Sequence, residues 1–164
     1  MDVRALTPAN AEEFRDLRLE GLTLYPEAFG ASLEEEPAEP IGAWQGRLED
    51  SNVFGTFMRD RLTGVAGMYR RQGAKLAHQG VLWGLYVSED ARGRGAGRAL
   101  VEAVISHAGG QVAQLITSVT ITNGLARALY ESLGFEVWGV QPRLLKIGDR
   151  YYDVAQMVLL FDES

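Results

Sequence analysis

The stretch GLYVSEDARGRGAGRALVEAVISHA, residues 84–108, decides how this chain is read. A short apolar run, residues 81–87, leads into it and has the length and boundaries of a strand. A polar turn follows at residues 88–91, then three glycines and three arginines: Arg92, Gly93, Arg94, Gly95, Ala96, Gly97 and Arg98. Beyond Gly97 the apolar residues fall at Leu100, Val101, Val104, Ile105 and Ala108, the one-face pattern of an amphipathic helix. A strand therefore passes through a glycine-rich loop into a helix.

That arrangement has a physical use. The first turn of a helix carries backbone N–H groups without partners, and the macrodipole makes that end positive. Glycines let the backbone approach a ligand closely because no Cβ intervenes. Together they make a phosphate or pyrophosphate site, and Arg92, Arg94 and Arg98 add formal charge around it. The bare pattern [RQ]-x-x-G-x-[GA], met by Arg92, Gly95 and Gly97, arises by composition alone in roughly one chain in six of this length. Its place between a strand and a helix is what gives it weight. A P-loop is excluded, since Arg98-Ala99 replaces the Lys-Ser/Thr pair. The dinucleotide fingerprint G-x-G-x-x-G is excluded because position 98 is arginine.

The stretch resembles motif A of the GNAT superfamily of acyl-CoA N-acyltransferases, in which this loop holds the pyrophosphate of acetyl-CoA. A second stretch, TNGLARALYESLGF at residues 122–135, resembles motif B, with Asn123, Ala126, Tyr130 and Gly134-Phe135 at the family's positions. The two motifs stand in the family's order. The resemblance implies a mixed α/β (α+β) GNAT fold over residues 1–164. Its sheet would be mostly antiparallel, of about seven strands splayed between the fourth and fifth and flanked by about four helices. It implies acetyl-CoA as co-substrate and an amine as acceptor. Leu85, Tyr86 and Val87 would offer unpaired strand amides to the cofactor, with Asn123 and Ala126 beside it. Tyr130 would be the general acid toward the departing thiolate. Core packing is the structural alternative for Tyr130, and helix capping that for Asn123.

The base is harder to place. The strand at residues 81–87 holds no carboxylate, where many GNAT enzymes carry a glutamate. Glu20, Glu34, Glu35, Glu36 and His78 are the alternatives, directly or through a water. The missing carboxylate also motivates a second class of function, a non-catalytic acyl-CoA-binding module. A third reading makes residues 92–98 an RG-type nucleic-acid contact; the net charge of −6 and the lack of repeats argue against it.

Composition sets the outer bounds. At 164 residues the chain suits one domain. It has no cysteine and two histidines, which argues against thiolate or histidine metal sites, so no metal is expected. No apolar run reaches membrane-spanning length and no signal pattern opens the chain, so a cytoplasmic protein without membrane or nucleic-acid partners is expected. Closed dimers are the commonest assembly of soluble proteins, which makes a homodimer the state to test for.

The remaining elements follow from pattern. A first strand covers residues 3–6, and Thr7-Pro8 opens a helix that Pro26 ends. Residues 26–40 read as an acidic loop or as a wall of the substrate site. A second helix covers residues 41–48, and strands at 53–58 and 65–70 are joined by a connection at 60–64. A strand at 112–119 precedes the motif B helix. Strands at 137–140 and 151–160 close the chain across a connection at 146–150.

Overall fold

The computed structural model describes residues 1–30, 36 and 39–162. Its strands are β1 (Asp2–Ala5), β2 (Asn52–Met58), β3 (Arg61–Arg70), β4 (Gln79–Val87), β5 (Gln114–Thr120), β6 (Glu136–Ile147) and β7 (Arg150–Leu160). Its helices are α1 (Ala11–Leu24), α2 (Ile41–Asp50), α3 (Ala96–Ala108) and α4 (Gly124–Ser132). The strands form one sheet in the order β1-β2-β3-β4-β5-β7-β6. Every neighbouring pair is antiparallel except β4 and β5, which run parallel.

Strand alternation sends side chains to two different cores. Val65 faces α1 and α2 in a cluster with Phe14, Leu22, Trp44 and Tyr86. Ala66 and Met68 face α3 and α4, with Leu100, Val104, Leu115, Phe135 and Met157. Trp44 has no exposed surface and meets Phe14 edge-on at 5.7 Å, which fixes α2 against α1. Burying such a side chain stabilises the fold by about 3 kcal/mol.

The sheet opens at β4, and the cause is local. β4 pairs with β5 only through Gln79, Gly80 and Val81. Its register against β3 then jumps, from Trp83 opposite Gly67 to Tyr86 opposite Val65. That bulge sits at Gly84, whose φ of 71° is open to glycine and strained for other residues. Residues 82–87 therefore leave β5 behind. Where the two strands part, the Thr117 hydroxyl donates to the Leu82 carbonyl at 3.1 Å in place of a ladder bond.

Several local readings need correction. The β2–β3 turn is Arg59-Asp60 alone, with φ of 50° and 63°, and not a connection at 60–64. A two-residue turn with both φ values positive matches the twist of a hairpin, so β3 starts at once. Proline at position 8 does not start an α-helix directly: a 3-10 turn, Pro8–Asn10, comes first. β6 does not stop at Val140 but runs through Pro142 to Ile147. Its edge position tolerates a proline, and the pairing is interrupted between Gln141 and Leu145 with Arg143 at φ 52°. The Arg143 amide is satisfied by the Asp153 carboxylate at 2.8 Å.

Candidate active site

The loop after β4 is fixed by polar contacts before its glycines begin. Ser88 donates to Thr63 and to Asp90, and Arg61 reaches the same Asp90 carboxylate. The Ser88 hydroxyl first, then Arg61, hold the Asp90 carboxyl below its ordinary range. Arg92 donates through Nε to the Val87 carbonyl at 3.0 Å and through Nη1 to the Tyr25 hydroxyl at 2.9 Å. Tyr25 in turn donates to Glu89.

Gly93 and Gly95 then take φ of 76° and 82°, and Gly95 caps α3 in the left-handed conformation. Nothing lies within 4 Å of a Cβ built at either position, so the backbone faces open space. The first bond of α3 is Ala99 N–H to the Gly95 carbonyl. The amides of residues 93–98 make no hydrogen bond among the described residues. A row of unsatisfied donors at a helix N-terminus suits an anion.

These amides border a cavity of about 620 Å³. β4 contributes Leu85, Tyr86 and Val87 to it. The loop and first turn of α3 contribute Arg92, Gly93, Gly95, Ala96, Gly97 and Arg98, and α4 contributes Asn123 and Ala126. Eleven of the thirteen residues singled out from the sequence thus meet around one space. Arg94 is the first exception; it turns away into a groove beside Met1, Asp2 and Met58. Arg98 is anchored by Ser132 at 2.7 Å and by Glu102 at 3.7 Å. Asn123 caps α4 by accepting from the Ala126 amide at 3.3 Å.

Tyr130 is the second exception. It is 4 % exposed and lines a second cavity, of about 330 Å³, that enters the gap between β4 and β5. Burial pushes its phenol up to about 12, and the Thr117 hydroxyl beside it opposes part of the rise. The α4 C-terminus holds the ring in place. Phe135 N–H bonds the Tyr130 carbonyl and Gly134 N–H bonds that of Glu131, a Schellman pattern with Gly134 at φ 100°. The Phe135 ring then packs on Tyr130 at 5.4 Å.

Leu85, Ala28, Phe29, Asn123 and Ala126 border both cavities. The divide is a strap after α1, the 3-10 turn Pro26–Ala28 and Phe29. It is tied across the gap by the Thr120 hydroxyl, which donates to the Glu27 carbonyl. By pattern this segment reads only as a loop or a site wall, because nothing local marks a cross-gap tether. Arg18 and Thr117 were also missed. Each sits in a regular element and reads as an ordinary helix or strand residue until the fold aims it at the gap.

The proposed bases scatter. Glu20 accepts from the Tyr86 hydroxyl at 2.8 Å, and burial first, then this bond, raises the Tyr86 phenol. Glu36 is buried and accepts two bonds from Arg18, both 3.1 Å, with Arg47 at 3.5 Å. His78 is exposed just before β4, at the end remote from the gap. Glu34 and Glu35 lie outside the described residues. Among the described residues no carboxylate lines the second cavity, and Glu27 is the one carboxylate lining the first. No group of three or more metal-ligating side chains occurs among them, and no helix there is long and apolar enough to cross a membrane.

Comparison with known proteins bears on this geometry. No curated protein matches the sequence. Solved structures match over nearly the whole chain. The structure of yncA, a putative acetyltransferase from Salmonella typhimurium with its cofactor acetyl-CoA, has a TM-score of 0.87 at 21 % identity, covering 100 % of this chain and 95 % of that one. A ribosomal-protein-alanine N-acetyltransferase from Brucella melitensis has a TM-score of 0.85 at 23 % identity, covering 98 % and 100 %. A GCN5-related N-acetyltransferase from Kribbella flavida has a TM-score of 0.81 at 25 % identity, covering 98 % and 97 %. The sequence model of the acetyltransferase (GNAT) family matches residues 14–135, most of the chain and both cavities' principal walls. The chain belongs to the acetyltransferase (GNAT) family.

Proposed function

We propose that the chain transfers the acetyl group of acetyl-CoA to a primary amine by direct attack in a ternary complex. The observation that carries this reading is the adjacency of the two cavities. The amide-lined space at α3 and the gap that holds Tyr130 share Ala28, Phe29, Leu85, Asn123 and Ala126 as a common wall. When bound, acetyl-CoA supplies a thioester carbonyl open to attack and a thiolate leaving group.

The chain's own residues divide the work. The amides of residues 93–98, with the Arg92 and Arg98 guanidinium groups, hold the pyrophosphate. The stretch of β4 without a β5 partner offers amides of Leu85, Tyr86 and Val87 to the cofactor arm and to the charge that grows on the carbonyl oxygen. Tyr130 donates a proton to the departing sulfur. With its phenol at about 12 and a free thiol near 8.5, that transfer is uphill unless it accompanies C–S cleavage. Tyr130 therefore acts within the bond-breaking step. The amine's proton leaves through water in the gap, since no described carboxylate lines it.

Isothermal titration with acetyl-CoA, followed by a thiol-release screen over amines, tests the reading. Saturable binding and release with at least one amine are expected; no binding at millimolar acetyl-CoA would end it. That no carboxylate lines the second cavity among the described residues favours one alternative, a non-catalytic acyl-CoA-binding module. It is distinguished by acetyl-CoA binding without thiol release for any amine up to pH 9.

A further inference from the structure

The second cavity contains one formal charge among the described residues, and it is positive. Arg18, in the middle of α1, is 8 % exposed and lines this cavity with Trp83, Gly84, Phe29, Thr117 and Tyr130. A guanidinium so deeply buried is expected to be paired, and two of its three nitrogens are. Nε and Nη2 each donate to Glu36 at 3.1 Å. Glu36 is itself pinned by Arg47, so the fork is held in a fixed orientation. The rings of Phe29 and Trp83 also approach it, with their centroids 5.1 and 5.4 Å from the guanidinium carbon.

The third nitrogen is the informative one. Nη1 makes no hydrogen bond among the described residues. It lies 3.2 Å from where a Cβ would stand on Gly84, the bulge residue at which β4 leaves β5. This end of the fork thus points at the place where the gap opens. Position 84 lacks a side chain there, and the Arg18 head takes the space.

Resting on the acetyltransferase reading above, we infer that the acceptor is a small amine that carries a carboxylate close to its amino group, an amino acid in the general sense, and that Arg18 Nη1 binds this carboxylate. Arginine suits that task, since its planar donors hold a carboxylate in a set orientation. A volume of about 330 Å³ lies at the small end of the range for small-molecule sites. The lining points the same way. Among the described residues the one charged group that borders the cavity is this guanidinium, with Glu36 behind it, so an acceptor's carboxylate meets donors there and a second cationic group does not. The same positive charge disfavours an ammonium nearby, which raises the share of neutral amine that can attack.

The test begins with wild-type protein. Calorimetry with acetyl-CoA comes first: loss of that binding would overturn the acetyltransferase reading and the inference with it. Thiol release is then measured for α-, β- and γ-amino acids, each beside its carboxamide and its decarboxylated amine. At least one acid is expected to exceed both partners by 10-fold or more in kcat/KM, mostly through KM. Equal rates for acid and amide overturn the inference and leave the acetyltransferase reading intact. So does acetyl-CoA binding with release only from amines lacking a carboxylate.

Arg18→Met alone would strand the buried Glu36 charge, so the double variant Arg18→Met/Glu36→Met is the partner experiment. It should keep acetyl-CoA affinity and lose the preference for the acid. A preference that survives in the folded double variant excludes Arg18. If the double variant does not fold, the wild-type comparison of acid and amide decides, together with Arg18→Lys, which keeps the charge and should weaken the preference by raising the acid's KM.

Discussion

The two cavities on either side of the Pro26–Ala28 strap are built from different materials. The larger is bordered largely by backbone: glycines at positive φ, the open end of α3 and the stretch of β4 that lacks a β5 partner. The smaller is bordered by side chains from α1, β4, β5, α4 and β7, brought from far apart in sequence. On the function proposed above, the backbone side would hold acetyl-CoA and the side-chain side the acceptor, so substitutions on the two sides should fail in different ways.

The largest effect belongs to the backbone side. Gly95 sits at φ 82° with open space before it. A side chain there occupies ligand space, and an L-residue adds about 1–2 kcal/mol of strain. Gly95→Glu also puts a negative charge at the anion site. Acetyl-CoA affinity should fall by at least about 100-fold, about 2.7 kcal/mol. Gly95→Asn separates the causes, because asparagine tolerates the left-handed conformation and is neutral. It should lose less than the glutamate variant in the same titration. Equal losses would mean that the bulk of a side chain in the ligand space, not its charge, governs this side.

On the side-chain side the corresponding residue is Tyr130. Tyr130→Phe should leave acetyl-CoA affinity nearly unchanged and lower turnover by on the order of 10²-fold, the low end for one acid–base group. Unchanged turnover at saturating amine would make Tyr130 a packing residue. Its titration gives a separate readout. Burial raises the phenol from about 10 in the unfolded chain to about 12 in the fold, so the fold favours the neutral form. That contribution is complete below about pH 10 and is lost as pH rises through about 12. Urea unfolding should show wild-type stability falling between pH 10 and 11, with Tyr130→Phe falling less. Tyr86, also raised, gives the variant a remaining slope of the same sign.

A smaller effect tests the hinge between the sides. Gly84→Ala forces φ 71° on a residue with a Cβ, 3.2 Å from Arg18 Nη1. A stability loss of about 1–2 kcal/mol is expected by denaturant titration. Turnover should drop more than acetyl-CoA affinity, because the guanidinium must shift within the acceptor cavity. If affinity falls and turnover does not, the bulge serves the cofactor side instead.

What was legible in the sequence follows the same division. The strand–loop–helix unit at 84–108 and the α4 helix could be read because contiguous residues carry them. Asn123 does cap α4, and Gly134 and Phe135 do close it. The opening of the sheet was implied by the family resemblance, and Gly84 supplies its local cause, since a glycine in an apolar strand permits a bulge. Arg18 and Thr117 were not legible, because their roles depend on which strand lies opposite. The length of β6 was hidden by Pro142, which excludes a central strand but not an edge one. The short β2–β3 turn was hidden because Arg59 and Asp60 are neither glycine nor asparagine, yet both take positive φ.

The smallest effect concerns Asn123, which belongs to both sides. Its side chain caps α4, and the residue borders both cavities. Asn123→Ala removes the cap and should cost about 1 kcal/mol of stability. Asn123→Asp keeps it, since aspartate accepts from the Ala126 amide equally well and its charge suits a helix N-terminus. If capping is the residue's whole task, the aspartate variant should match wild type in unfolding and in acetyl-CoA titration alike. If Asn123 also donates its amide N–H to a ligand, aspartate cannot, because a carboxylate only accepts. Stability would then be restored while affinity or turnover stays low. The quantity that changes locates the contact: acetyl-CoA affinity for the larger cavity, amine KM for the smaller. An aspartate variant that is stable and fully active would reduce Asn123 to a cap and leave the join between the cavities to the strap and Leu85.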